Sequence, residues 1–197
     1  MAPIPPDRPI VFLDRDGVII HNRRDYVRSW EDVRFVSGAI EAAGRLADAG
    51  SSLIIVTNQA CIGKGLVSES MAIDLQERIT RVLRSSGTQI AASYICPHES
   101  SARCYCRKPE PGMLQHGLRN HSTVPSGSFM VGDSVSDVIA AESAGVTPTL
   151  VLTGRGIAQR ECLTPAQRER VAVHHSLAAF VAALLASDGD KLANAND

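Results

Sequence analysis

Short apolar runs separated by amphipathic stretches leave this sequence few folds to choose from. Residues 10–13, 53–57, 93–96, 129–131 and 149–152 are rich in Val, Ile and Leu and read as strands. A strand exposed on one face alternates apolar and polar residues, whereas near-continuous apolar runs are buried on both faces. Between them, residues 39–49, 68–85, 112–120 and 135–144 carry the period of helices that cover such a sheet. Ser68 stands at an N-cap position, and Gly50, Gly87 and Gly145 stand where helices stop. A weaker run at 171–173 precedes a last helix over about 176–186, and no internal repeat is visible. Strand and helix in alternation predict a doubly wound α/β fold with a parallel sheet.

A chain of 197 residues supports one full core. We expect a single domain over 9–186, a flexible N-terminus over 1–8 and a flexible polar tail over 187–197. A net charge of −1 gives no electrostatic footprint for nucleic acid or an anionic membrane. No leader-like or membrane-spanning run is present, so a cytoplasmic, monomeric protein is the expectation. The five cysteines are then reduced, and clustering among them argues for metal before disulfide.

In a doubly wound sheet, ligands bind beyond the carboxyl ends of the strands. The polar residues there are Asp14 and Asp16; Thr57, Asn58 and Gln59; Cys96 and His98; and Asp133 and Asp137, with Arg107 and Lys108 in the loop after the third strand. Two carboxylates one residue apart raise each other's pKa unless a cation compensates them. Hard oxygen ligands point to Mg²⁺. A second constellation, Cys96-x-His98-x5-Cys104-x-Cys106, gathers three thiols and an imidazole, a set suited to tetrahedral Zn²⁺. With four protein ligands and no open position it reads as structural, stiffening the loop that carries Arg107 and Lys108.

Asp14-x-Asp16-Gly17, Thr57, Lys108 and Gly132-Asp133-x-x-x-Asp137, in that order at strand ends, resemble the four motifs of the haloacid dehalogenase (HAD) superfamily of phosphatases. The resemblance implies a HAD-like Rossmannoid fold, with Asp14 as a nucleophile that forms an aspartyl-phosphate. Asp16 would protonate the leaving alcohol and later deprotonate water. It also implies Mg²⁺ held by Asp14, the backbone carbonyl of Asp16 and Asp133, with Thr57 and Lys108 holding phosphate oxygens. Asp137 either orients Lys108 or a metal-bound water, or is an acid favoured at a helix N-terminus.

The zinc loop and Cys106-Arg107-Lys108-Pro109 narrow the resemblance to the heptose 1,7-bisphosphate 7-phosphatases and the related histidinol-phosphate phosphatases. Tyr26-Val27, Ile62-Gly63-x-Gly65 and Pro111-Gly112-Met113-Leu114 look like the heptose enzymes. The five-residue spacer between His98 and Cys104 is similar to the histidinol-phosphate type, and Ser134 stands where heptose enzymes often carry Lys. Both alternatives remain open at this point, as does a catalytically silent, zinc-stabilised scaffold. No insertion is long enough for a large cap domain, so the first loop, the turn after Gln59 and the zinc loop must wall the cleft. Such a cleft suits a small phosphorylated metabolite such as a sugar bisphosphate. Asn58, Gln59, Arg107 and Tyr26 are the expected substrate contacts; Arg23, Arg24 and Arg28 are further cations of the first loop, and Trp30 either lines the cleft or plugs the loop.

Overall fold

The computed structural model describes residues 10–121 and 126–194, with side chains described as far as Ser187. Among these, six parallel strands form one sheet in the order β3-β2-β1-β4-β5-β6. They are β1 (Ile10–Leu13), β2 (Ser52–Asn58), β3 (Ile90–Cys96), β4 (Phe129–Gly132), β5 (Thr147–Val151) and β6 (Ala172–His174). The helices α1 (Ala39–Asp48), α3 (Glu69–Ser85), α4 (Gly112–Asn120) and α5 (Val135–Ala144) fall where the sequence pattern puts them. Ser68 caps α3 by accepting a hydrogen bond from the Met71 amide.

Burial alternates along β1 as the pleat requires. Val11 and Leu13 pack into a core with α1, α3 and α8 (Leu177–Asn194), while Ile10 and Phe12 pack into a second core with α4 and α5. Both faces are therefore covered, which explains why the strand is apolar throughout. β3 begins three residues before its predicted start, because Ile90 and Ala92 pair with Leu53 and Ile54 of β2 across a bulge at Ala91. The last helix runs on to Asn194, past the end expected near residue 186. That stretch is polar but contains no proline to stop it. Residues 1–9 and 195–197, where the expected N-terminal segment and the end of the tail fall, lie outside the described residues. No described helix is long and apolar enough to cross a membrane.

Three short helices escape the periodicity: α2 (Ala60–Gly63), α6 (Gly156–Glu161) and α7 (Pro165–Arg170). Less than two turns gives no recognisable period. α7 nevertheless carries a signature, a Thr164–Gln167 capping box with Pro165 in its first turn. The first loop, between β1 and α1, folds back on itself through bridges from Ile20 to Asp16 and to Phe35. Among the described residues no cap domain is inserted.

Candidate active site

The chain order reverses between β1 and β4, and the carboxyl ends of these neighbouring strands deliver Asp14 and Asp133 side by side. Asp137 joins them one helical turn into α5, and the three buried carboxylates come within 4.8 Å of one another. Lys108 answers this charge. Its Nζ donates to Asp14 Oδ1 (2.8 Å) and to the Val56 carbonyl (2.9 Å), and lies 2.6 Å from Asp137 Oδ1. Burial alone would lower the Lys108 pKa, but the charges of Asp137 and Asp14 outweigh it and hold the ammonium above its ordinary range. Burial pushes the Asp137 carboxyl up to about 7 against the pull of Lys108.

Asp137 resolves the two alternatives left by its sequence position by doing both. Oδ1 pairs with Lys108, while Oδ2 accepts from the Ser134 amide in a capping box at the start of α5. Asn58 and Gln59, expected on the substrate, have their side chains engaged elsewhere. Asn58 bonds both backbone polar groups of Lys108, Nδ2 to its carbonyl (2.9 Å) and Oδ1 from its amide (3.1 Å). Gln59 Nε2 donates to Asp16 Oδ2 and to Thr57 Oγ1, both at 2.8 Å, and its Oε1 accepts from the Cys61 thiol. Because the Thr57 hydroxyl only accepts here, from Gln59, its proton is free to donate.

The donor set fits a hard divalent cation. Asp133 Oδ2 accepts from the Asn22 side-chain amide (3.1 Å) and the Arg155 backbone amide (2.8 Å). Asp133 Oδ1 is buried and makes no hydrogen bond, with the Arg155 guanidinium 3.5 Å away. Burial, then the charge of Asp14, pushes the Asp133 carboxyl above its ordinary range. An unbonded buried carboxylate oxygen beside a second carboxylate is what a bound cation would relieve. Gly17 makes this approach possible. Its φ of +99° and the proximity of Asp133 and Asn22 leave no room for a Cβ.

Cys96, at the end of β3, and His98, Cys104 and Cys106 beyond it converge on one point. The Sγ atoms of Cys96, Cys104 and Cys106 are 3.3–3.5 Å apart, and His98 Nδ1 lies 3.3 Å from Cys106 and 3.6 Å from Cys96. These gaps are far longer than a disulfide and close to the ~3.8 Å edge of a zinc–sulfur tetrahedron with ~2.3 Å bonds. Burial, followed by contact with Cys96 and Cys104, pushes the Cys106 thiol up to about 12, so three thiolates here call for a cation.

A cavity of about 40 Å³, lined by Asp14, Asp16, Thr57, Lys108 and Asp137, opens beside a cleft of about 570 Å³. Arg23, Arg24, Tyr26 and Arg107 line the cleft, together with Arg155. Arg107 is fixed to the Cys/His loop by donating to the His98 carbonyl (3.0 Å). Arg23 is 3.3 Å from Asp32, and Arg28 turns away to the Asp25 carbonyl. The Tyr26 hydroxyl accepts from Lys64 Nζ. Trp30 is a plug, edge-on to Phe35 with Arg78 stacked 4.5 Å above its ring.

A family profile described as HAD-hydrolase-like matches residues 105–180. The curated D-glycero-beta-D-manno-heptose-1,7-bisphosphate 7-phosphatase of Pseudomonas aeruginosa is 33% identical over 178 residues, covering 90% of this chain and 98% of the relative. The chain belongs to this phosphatase family. The Photorhabdus laumondii heptose bisphosphate phosphatase is 39% identical over 157 residues, covering 76% of this chain and 83% of that one. Among solved structures, the D,D-heptose 1,7-bisphosphate phosphatase of B. bronchiseptica, complexed with magnesium and phosphate, superposes with a TM-score of 0.85. It is 32% identical, and the match covers 91% of this chain and 99% of that one.

Within the heptose bisphosphate phosphatase family, this chain's site includes residues that strand-end reading passes over. Asn22 bridges the Asp16 carbonyl (3.1 Å) to Asp133, and only folding of the first loop brings it there. Arg155, in a Thr153-Gly154-Arg155-Gly156 stretch whose sequence leaves its place at the site edge undecided, reaches Asp133 from the turn after β5. Gly154 beside it was a usable signal. Its φ is +59°, and a Cβ there would meet Asn22 and Asp133. Cys61 carries no sequence signal of its own, yet its buried thiol donates to Gln59 Oε1 and orients that side chain.

Proposed function

We propose that this protein is a Mg²⁺-dependent phosphomonoesterase that removes the 7-phosphate of D-glycero-D-manno-heptose 1,7-bisphosphate through an aspartyl-phosphate on Asp14. The observation that carries the reading is the small cavity bounded by Asp14, Asp16, Thr57 and Lys108, opening onto an arginine-lined cleft. It is supported by the curated relatives at 33–39% identity, which are named for this substrate's β anomer.

In this reading Asp14 attacks phosphorus, and Asp16 gives a proton to the departing sugar oxygen. Asp16 then takes a proton from the water that opens the aspartyl-phosphate. Thr57 donates its free hydroxyl proton to a phosphate oxygen, and Lys108 contributes charge while it donates to Asp14 and the Val56 carbonyl and pairs with Asp137. Mg²⁺ would be held by Asp14, the Asp16 carbonyl and Asp133, and supplies screening of the anionic nucleophile from the anionic phosphate. Zn²⁺ on Cys96, His98, Cys104 and Cys106 holds Arg107 and Lys108 at the cleft. Arg24, which has no hydrogen bond or ion pair among the described residues, and Arg107 are suited to the second phosphate.

The test is phosphate release from both anomers of the heptose bisphosphate, from histidinol phosphate and from 4-nitrophenyl phosphate, with and without Mg²⁺. We expect the highest kcat/KM with the heptose bisphosphate. Preference for histidinol phosphate would overturn the substrate, and no turnover of any ester would overturn the reaction.

A further inference from the structure

The residue between the two catalytic aspartates is an arginine, and it is buried. The Arg15 side chain is 1% exposed, whereas arginines almost never bury fully unless paired. Its Nε donates to Asp16 Oδ2 at 3.0 Å and its Nη2 lies 2.8 Å from the same oxygen. No other carboxylate among the described residues pairs with it. Gln59 Nε2 reaches that oxygen from the other side at 2.8 Å, with its amide oriented by the Cys61 thiol and the Thr57 hydroxyl. Asp16 Oδ2 is thus gripped by two donors, and no described hydrogen bond engages Oδ1 while Asp16 lines the cleft.

We propose that Arg15, seconded by Gln59, is a positioning residue that fixes the Asp16 carboxyl so that its other oxygen faces the leaving group. The inference rests on the phosphatase reading, in which Asp16 is the acid. Stability alone gives a poor account of the arrangement, since well-packed apolar residues generally replace a buried ion pair without loss. Placement is a better one. Proton transfer demands a held geometry, and among the described residues no cap domain closes over this cleft to impose it. The clamp builds that geometry into the floor of the site. It also ties the acid to the Thr57 hydroxyl through a single amide, so proton donor and phosphate-binding group hold a fixed separation.

The experiment compares kcat/KM for a sugar phosphate, whose leaving alkoxide needs a proton, with 4-nitrophenyl phosphate, whose leaving phenolate scarcely does. Because kcat/KM reports steps up to phosphoryl transfer, and both esters are measured on one preparation, the ratio is blind to the fraction of protein correctly folded. Arg15→Met is expected to lower the sugar-to-aryl ratio on the order of ten-fold, in the same direction as Asp16→Asn, and Arg15→Lys to recover part of it. Should Arg15→Met fail to fold, Gln59→Leu removes the other donor to the same oxygen and is expected to lower the ratio too. A wild-type ratio in the Arg15 and Gln59 variants while Asp16→Asn lowers it would overturn the proposal. An unchanged ratio in Asp16→Asn would instead remove the acid assignment beneath it.

Discussion

Asp137 divides its two oxygens between a helix and a lysine, and this division sets what its loss should do. Asp137→Asn can still accept from the Ser134 amide but no longer offers a charge to Lys108, which keeps Asp14. Urea unfolding should register about 1.5–3 kcal/mol, the range for a buried hydrogen bond to a charged group. Asp14→Asn removes the proposed nucleophile with little change in shape. We expect turnover to fall on the order of 10³-fold or more while circular dichroism stays that of the wild type. Gly17→Ala places a methyl against Asp133 and Asn22 at a φ of +99°. A displacement on this scale is expected to cost on the order of 10²-fold in rate, with a raised Mg²⁺ requirement in activity titrations. At this scale the sequence reveals residues whose type is unusual for its place, such as paired aspartates at a strand end. It conceals Asn22 and Arg155, whose value comes from backbone turns that no periodicity encodes.

The loop that gathers Cys96, His98, Cys104 and Cys106, the proposed zinc ligands, illustrates the same division among elements. Its ligand spacing was readable because four soft ligands within eleven residues have few alternative uses. Its consequence was not readable, because the Arg107-to-His98 carbonyl bond and the two-way Asn58–Lys108 bond appear only after the loop folds back on β2. Cys104→Ser should drop zinc, measured by elemental analysis, from about one per chain to a small fraction. Melting should fall on the order of 5–10 °C, a few kcal/mol for a domain of this size. Arg107→Ala leaves the four ligands in place. Its expected effect is a KM for the bisphosphate raised on the order of ten-fold, with a smaller change for 4-nitrophenyl phosphate. The long helices and strands were legible for a different reason. Each long helix buries one face, which writes a period into the chain, and the strands bury both, which writes near-continuous apolar runs. The short α2, α6 and α7 bury too little to do so.

For the molecule as a whole, topology decides where the chemistry sits. Apolar runs alternating with helices pointed to a parallel sheet, and the strand order that emerged puts the reversal between β1 and β4. The order itself was not legible, since any permutation of buried strands yields similar patterns. The reversal has a consequence for how the protein is made. β1 leaves the ribosome more than a hundred residues before the neighbour that covers its second edge, which begins at Phe129. At about 5–20 residues per second, the nascent chain waits on the order of ten seconds with that apolar edge unpaired. The proposed nucleophile is therefore synthesised well before Asp133 and Asp137, and chains that stop before β4 carry an unpaired apolar edge beside Asp14 and Lys108.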